Sequence, residues 1–327
     1  MRILKTLQAS LVLLAACSAQ TPNWIKPALT TLPSPRCCAA MAYDAGTHST
    51  VLYGGGPTNV VYGDTWTFTR QNGWLQLSPA SSPPALSGAN LVYDPISKTA
   101  VLFGGTRTDS ADSNETWTWD GATWTQQFSL VGPPARSFNA QQMVYDAATR
   151  TIVLFGGYGS NGITLADTWE WSGRTKAWRQ KFPATSPSPR GTTLAYDAIN
   201  QKVLLFGGDS GGGDCCRTVY GDTWTWDGAT WTQQFPRTTP AARTALAMTF
   251  DVARVGIVLF GGFATPGSGL NDTWTWDGIK WSQVQTPFAP FGRWAVSMTF
   301  DPNFRGLVMF GGELTGNPFT NQTWIFR

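Results

Sequence analysis

The chain has 327 residues with 23 Lys and Arg against 20 Asp and Glu, a formal net charge of +3, and only 13% charged residues, where about 25% is usual. Nothing in that balance supplies the basic patch that nucleic acid demands, and a single histidine excludes His-rich metal centres and the ordinary serine triad. The compensating excess is aromatic: 17 tryptophans.

Taken in order, residues 1–16 read as an export signal. Arg2 and Lys5 precede an apolar run over 7–14, a secretory pattern too short to span a bilayer. The run ends Leu14-Ala15-Ala16-Cys17, which resembles the lipobox of bacterial lipoproteins. That resemblance implies that Cys17 is lipidated and becomes the mature N-terminus. The alternative is an ordinary signal peptide cut near Ser18-Ala19-Gln20. Ser18 in second mature position resembles signals for outer-membrane sorting in a Gram-negative cell. Without Arg2 and Lys5 the charge is +1, from 21 basic and 20 acidic residues. The expectation is an exported cell-envelope protein with a short tether at 17–22, touching the membrane by its lipid anchor only.

From residue 23 onward the chain repeats itself. Gly-Gly pairs stand at 54–55, 104–105, 156–157, 207–208, 261–262 and 311–312, so successive spacings are 50, 52, 51, 54 and 50 residues. Each repeat carries four short β-type segments, in the fourth copy 193–197, 203–206, 222–226 and 231–235. None is long enough for a helix, and β-branched and aromatic types dominate. A four-stranded sheet cannot bury both faces alone. Six of them standing radially around an axis cover one another, which is an all-β, six-bladed β-propeller spanning 23–327 as one domain.

These motifs resemble the kelch-repeat family: the six Gly-Gly pairs, Trp66, Trp117, Trp169, Trp224, Trp274 and Trp324, and a second tryptophan 7 to 9 residues later in the first five repeats. WD repeats are the rival, since Trp-Asp occurs at 119–120, 226–227 and 276–277. Their period is shorter, about 40–45 residues, and they lack Gly-Gly. The sixth repeat stops just after Trp324, without a fourth strand. Trp24 lies 12 residues before Arg36, as Trp124 does before Arg136 and Trp178 before Arg190. The N-terminal segment is therefore expected to pair with 323–326 and close the ring, removing exposed sheet edges.

Asp44, Asp94, Asp146, Asp197, Asp251 and Asp301 each end a first strand. Their recurrence marks them as turn formers, bonding the backbone two residues on, and not as catalytic carboxylates. The glycine pairs are expected to leave room for a neighbouring tryptophan and to adopt backbone angles that other residues resist. The connections between second and third strands, at 56–63, 106–114, 158–166, 209–221, 263–271 and 313–321, vary most and are where binding is expected. The same face carries the proline-rich stretches that end in Arg36, Arg136, Arg190, Arg243 and Arg293, with Leu86 in place of arginine in repeat two. Five arginines near one mouth could clamp a carboxylate or phosphate. Equally, each could tie a connection between sheets to its neighbour and stack on tryptophan.

Several motifs dissolve on inspection. Gly208-Asp209-Ser210-Gly211-Gly212 imitates a serine-protease signature, but His48, the one histidine, falls at the opposite end of the sheets. Residues 157–162 fit Gly-x-Gly-x-x-Gly with no helix to follow. Galactose oxidase has a related propeller, yet its copper site uses two histidines. Asp120-Gly121-Ala122-Thr123-Trp124 nearly echoes a sialidase Asp-box and reads as a turn. Cys37, Cys38, Cys215 and Cys216 form two adjacent pairs. In an exported chain they are disulfide candidates, either joined across the channel mouth, closed as two vicinal pairs, or left as free thiols.

The kelch resemblance implies a non-enzymatic binding module that recognises a protein or a glycan with its variable loops, needing no metal or cofactor. The alternative is a carbohydrate-active enzyme, resembling a kelch-type sialic-acid epimerase or a lyase, that uses the channel arginines with Tyr62, Tyr220, Glu313 or Asp214. A third is a structural envelope component.

Overall fold

The computed structural model describes residues 21–138, 140–211, 217–264 and 268–327. Cys17, Asp214, Cys215 and Cys216 lie outside the described residues.

The described residues are all β apart from one 3-10 turn at Ser160–Gly162, and each repeat builds one antiparallel sheet. In the fourth, Gly191–Asp197, Lys202–Asp209, Val219–Trp226 and Trp231–Gln234 lie side by side in chain order. The second strand is apolar without alternation, and Val203, Leu204, Leu205 and Phe206 are all inaccessible to solvent. A strand in mid-sheet with other sheets on both faces has no solvent side, so period-2 patterning vanishes. The Gly-Gly pair follows directly, and the register of this strand slips there, between Phe206 and Gly208, as a bulge that redirects the chain into the loop.

The first strands stand next to one another. Ala40–Asp44 packs beside Asn90–Asp94 on one side and Ser297–Asp301 on the other. The core is accordingly divided into apolar clusters lying between adjacent sheets. One cluster joins Met41, Leu52 and Trp66 of the first repeat to Val308, Phe310 and Ile325 of the last. Trp24–Ile25 occupies the outer edge of the last sheet, with Trp24 opposite Phe326 and Ile25 opposite Ile325. This arrangement of four-stranded antiparallel sheets fits a kelch-type propeller.

Two hydrogen-bond series recur from sheet to sheet. In the first, the fourth-strand tryptophan donates its indole N–H to a threonine of the preceding sheet: Trp124 to Thr65 at 3.0 Å, Trp178 to Thr116 at 2.9 Å, Trp231 to Thr168 at 3.0 Å and Trp281 to Thr223 at 3.1 Å. Trp74 reaches Thr323 of the last repeat in the same way, at 2.8 Å. Such a partner offsets the cost of burying the indole N–H.

The second series corrects the reason expected for the glycines. A Cβ on Gly54 would come within 2.3 Å of the Leu86 carbonyl oxygen, and one on Gly311 within 2.5 Å of that of Arg36. The space is therefore kept for the backbone of the next sheet and not for a tryptophan. The second glycine of each pair donates its N–H to that same carbonyl: Gly55 to Leu86 at 2.8 Å, Gly105 to Arg136 at 2.9 Å, and Gly312 to Arg36 at 2.9 Å.

The recurrent aspartates sit where the turns need them. Asp44, Asp94, Asp146, Asp197, Asp251 and Asp301 are buried and accept the amide two residues on, from Gly46, Ile96, Ala148, Ile199, Ala253 and Asn303. Asp120 likewise caps a turn, taking the amides of Ala122 and Thr123.

Candidate functional site on the variable-loop face

At the end of the sheets that carries the connections between second and third strands, the five arginines are buried, each at most 2% exposed. Their donors are engaged inside the framework. The Arg136 guanidinium grips Asp167 with two bonds of 2.7 Å and donates to the Gly156 carbonyl at 2.8 Å. Arg36 holds Asp64, and Arg243 holds Asp272, through the same fork. Arg190 reaches Asp222 at 2.5 Å. Each carboxylate also accepts the indole N–H of the tryptophan two residues on, as Trp169 donates to Asp167 at 2.7 Å. Each guanidinium is buried and donates both to its side-chain partner and to a glycine carbonyl of its own repeat, so the arginines present no open fork to a ligand.

The aspartate member of this Arg–Asp–Trp unit escaped sequence reasoning. Its signal was an acidic residue two positions before the third-strand tryptophan, at Asp64, Glu115, Asp167, Asp222 and Asp272. The tryptophans do not stack on the arginines as expected; tyrosines do. Arg36 lies 4.3 Å from the centre of the Tyr62 ring and Arg190 lies 3.7 Å from that of Tyr220. Tyr62 and Tyr220, expected to touch a ligand, thus flank framework cations.

Two repeats depart from the unit, and each departure has its own chemistry. In repeat two Leu86 replaces the arginine, and Glu115 instead binds Arg107 from its own loop at 2.5 Å while accepting the Trp117 indole. In repeat six Arg293 keeps its place, but Gln322 replaces the carboxylate, at 3.0 Å. Burial without a carboxylate lowers the Arg293 guanidinium to about 10.

The channel mouth itself is bordered by a chain of backbone bonds between sheets. Ala295 donates to the Ala245 carbonyl, Cys38 to that of Ala295, Gly88 to that of Cys38, and Phe138 to that of Gly88, all at 2.8–3.0 Å. Cys38, Gly88, Ala245 and Ala295 all have φ between 50° and 66°, the left-handed geometry that turns each N–H toward the preceding sheet.

Two depressions open beside this border. One, of about 550 Å³, is walled by Thr58, Asn59, Arg107, Thr108, Phe319 and Glu313 among others. The second, of about 300 Å³, is walled by Arg217, Phe263, Trp294 and Glu313. Cys37 and Cys38 line both. Trp294 and Phe263 meet edge to face at 5.3 Å, and the Trp294 indole donates to Glu313 at 3.2 Å. Burial raises the Glu313 carboxyl above its ordinary value against that hydrogen bond. Of the expected ligand-binding residues Glu313 stands in the open depressions, beside the disulfide candidates Cys37 and Cys38. Arg107 and Phe263 fall in the variable loops where binding is expected without having been singled out, and Trp294, outside those loops, was missed because nothing in the repeat pattern marks it.

The chemistry of catalysis is not assembled around Ser210. Its hydroxyl accepts the Thr218 amide at 3.0 Å, and His48 sits in the turn at the far end of the sheets, 3.5 Å from the Tyr43 hydroxyl. Among the described residues no cluster of three His, Cys, Asp or Glu side chains could hold a metal, and none forms a helix long and apolar enough to cross a membrane.

Residues 91–277, more than half of the chain, match the family model described as the KLHDC2/KLHL20/DRC7 Kelch-repeats domain. The chain belongs to the kelch-repeat family. Among curated proteins this kelch chain is similar to an F-box/kelch-repeat protein of Arabidopsis thaliana, 30% identical over 202 residues, covering 54% of this chain and 39% of that one. It is also similar to the tRNA wybutosine-synthesizing protein 4 of Emericella nidulans, 31% identical over 137 residues, and to that of Aspergillus fumigatus, 25% identical over 128 residues. Each of these two matches covers 38% of the kelch chain and 12% of the relative. The chain therefore spans well under half the length of these relatives.

Proposed function

We propose that the kelch chain is a protein-interaction module, a closed six-bladed propeller over 23–327, that binds its partner with the variable-loop face. The observation that carries this reading is a division of labour. The arginines and acidic residues that recur from sheet to sheet are bonded into the framework, whereas residues around the two depressions such as Trp294, Glu313 and Phe319 occur once each. Side chains free of framework duty, beside open volume, are the ones available for recognition. Pairing of Trp24–Ile25 with the last strand supports closure, since a ring without edges is the stable form of such an array.

The test uses the full chain as bait. A captured protein should be lost with Trp294→Ala or Phe319→Ala and retained with Lys98→Glu, a change in a turn at the opposite end. Retention with both loop-face variants would overturn the reading.

A glycan ligand is the second reading, favoured by the Trp294 and Phe263 rings beside Glu313: an apolar ring face with an adjacent carboxylate suits a sugar. Binding on a glycan array that disappears with Trp294→Ala would select it. Catalysis has weaker support, because Tyr62, Tyr220 and the arginines hold the framework. Export and lipid attachment at Cys17 complete the proposal and rest on the sequence of 1–17.

A further inference from the structure

Cys37 and Cys38 are not framework residues. At the two positions after the arginine, the other repeats hold Ser87 and Gly88, Ser137 and Phe138, Gly191 and Thr192, Thr244 and Ala245, and Trp294 and Ala295. The same left-handed backbone that Cys38 adopts at φ 57° is served by Ala245 at 50° and Ala295 at 51°. The fold thus forms with serine, threonine, glycine or alanine here, and sulfur at both positions answers another need. Both residues are partly exposed, their Sγ atoms are 2.9 Å apart, and both line the depressions described above.

We propose that Cys37 and Cys38 are a redox modification site: a vicinal dithiol that a low-molecular-weight disulfide of the glutathione type converts, reversibly, to a Cys37–Cys38 disulfide at the channel mouth. A thiolate of the pair attacks one sulfur of the small disulfide and expels a small thiolate. The second cysteine then attacks the mixed disulfide and expels the protein sulfur's small partner. One S–S bond is broken and one formed, the two cysteine protons pass to the two departing thiolates, and the small disulfide is reduced as the pair is oxidised. The sulfurs need approach by less than about 1 Å to reach the bonded distance of about 2.05 Å. Adjacent Cα atoms are about 3.8 Å apart, closer than disulfides ordinarily span, and such strain makes the bond easily reduced. Reversibility distinguishes a switch from a staple.

The redox state has a route into the candidate site. Cys37 exchanges backbone bonds with Gly56, at 3.4 Å and 3.1 Å, and its thiol donates to the Gly56 carbonyl at 3.6 Å. Gly56 opens the 56–63 loop, which carries Thr58 and Asn59 into the wall of the larger depression. Oxidation removes that S–H donor and turns both sulfurs toward each other, so the loop loses a tether.

The test is direct because trypsin cuts after Arg36 and Arg70, and peptide 37–70 contains no other cysteine. The full chain is equilibrated with graded mixtures of oxidised and reduced glutathione, blocked with N-ethylmaleimide and digested. The expected product is peptide 37–70, unlinked and two hydrogens lighter, returned to its reduced mass by dithiothreitol. Amide exchange in 56–63 should differ at least twofold between the two forms. Linkage of 37–70 to the peptide that holds Cys215 and Cys216, stable glutathione adducts on it, or two maleimides at the most oxidising mixture would each overturn the proposal. So would equal exchange in both forms. The variant Cys37→Ser with Cys38→Ala should melt as the reduced parent does; a large drop would make the cysteines framework residues and overturn it too.

Discussion

Trp24 donates its indole N–H to Thr273 Oγ1 across 3.1 Å, joining residues 249 apart in the chain. The bond has the same partners and geometry as the one from Trp124 to Thr65, so a two-residue strand from the N-terminus does in the last sheet what a contiguous fourth strand does in the others. Trp24 also packs between Phe260 and Phe326, with ring centres at 4.8 Å and 4.9 Å. Trp24→Ala is expected to lower stability by about 3–5 kcal/mol through lost burial and a cavity. Thr273→Val, which removes only the acceptor and strands the indole, should cost about 1–3 kcal/mol. Urea unfolding of the two variants separates packing from hydrogen bonding.

Buried and exposed versions of one ion pair occur in the same molecule. Asp167 is held by Arg136, which is fully buried, whereas Glu115 is held by Arg107, whose side chain is 36% exposed. Removing one member of a buried pair costs about 3–5 kcal/mol, so Arg136→Ala should be severe. Arg107→Ala removes a solvent-screened partner and should cost at most about 1 kcal/mol. Thermal melts of both variants and the parent in low and high salt check the contrast: salt should shrink the cost of Arg107→Ala proportionally more than that of Arg136→Ala.

The same units set the acid limb of stability. Burial pushes the Asp64 and Asp272 carboxyls up, but hydrogen bonds from Arg36 with Trp66, and from Arg243 with Trp274, together with the arginine charges, hold both below the ordinary 3.8. A carboxyl lowered in the folded state contributes stability that is complete above its unfolded value and is lost as the pH falls through the folded one. Asp301 and Glu313, raised by burial, act in the opposite sense, so variant and parent are compared under identical conditions. Asp272→Asn should be less stable at pH 7 and should lose less of its remaining stability between about pH 4 and pH 2, as followed by urea midpoints.

What could be read from the sequence was whatever repeats. The Gly-Gly period, the strand sequence and the pairing position of Trp24 were legible because each copy confirms the others. The role of the arginines stayed open for a physical reason: a guanidinium at a channel mouth and one buried against a carboxylate have the same spacing in sequence, and only the location of Asp64 or Asp167 across the sheet separates them. The glycine pairs were given the wrong neighbour because the contact they make is to a backbone carbonyl, which leaves no trace in residue type. Arg107 and Phe263 lie in loops whose variability marked them for binding, yet no copy singles out either residue. Trp294 was invisible because it occurs once outside those loops, and non-repeating positions are where function is free to differ from scaffold.

The anchor is tested at one residue. If Cys17 carries lipid, Cys17→Ala should shift the protein from the membrane to the soluble fraction or leave the 1–16 segment uncut. Fractionation with an intact-mass measurement reads both. A membrane fraction equal to the parent's, with the same mature mass, would remove lipid attachment from the proposal and leave the propeller untouched.

The last sheet offers a gain of stability. Arg293 is fully buried and faces the amide of Gln322 where the equivalent residues are Asp64, Asp167, Asp222 and Asp272. Burial favours its neutral form, lowering it from 12.5 to about 10; at neutral pH the folded state therefore holds a cation in a place that resists charge. Because the side chain in the sister sheets is aspartate and still reaches the guanidinium with two bonds, as Asp64 does at 2.6 Å and 2.8 Å, the shorter residue fits the geometry. Trp324, which donates to Gln322 at 3.1 Å, would keep an acceptor. Gln322→Asp should then convert a neutral hydrogen bond to a charge-assisted fork and raise stability by about 1–2 kcal/mol near pH 7. The gain should fade as the new carboxyl is protonated, below about pH 4. Urea unfolding at pH 7 and at about pH 2 tests both halves: an unchanged midpoint at pH 7 would show that Arg293 finds its compensation elsewhere, and a gain undiminished at about pH 2 would show that charge is not its source.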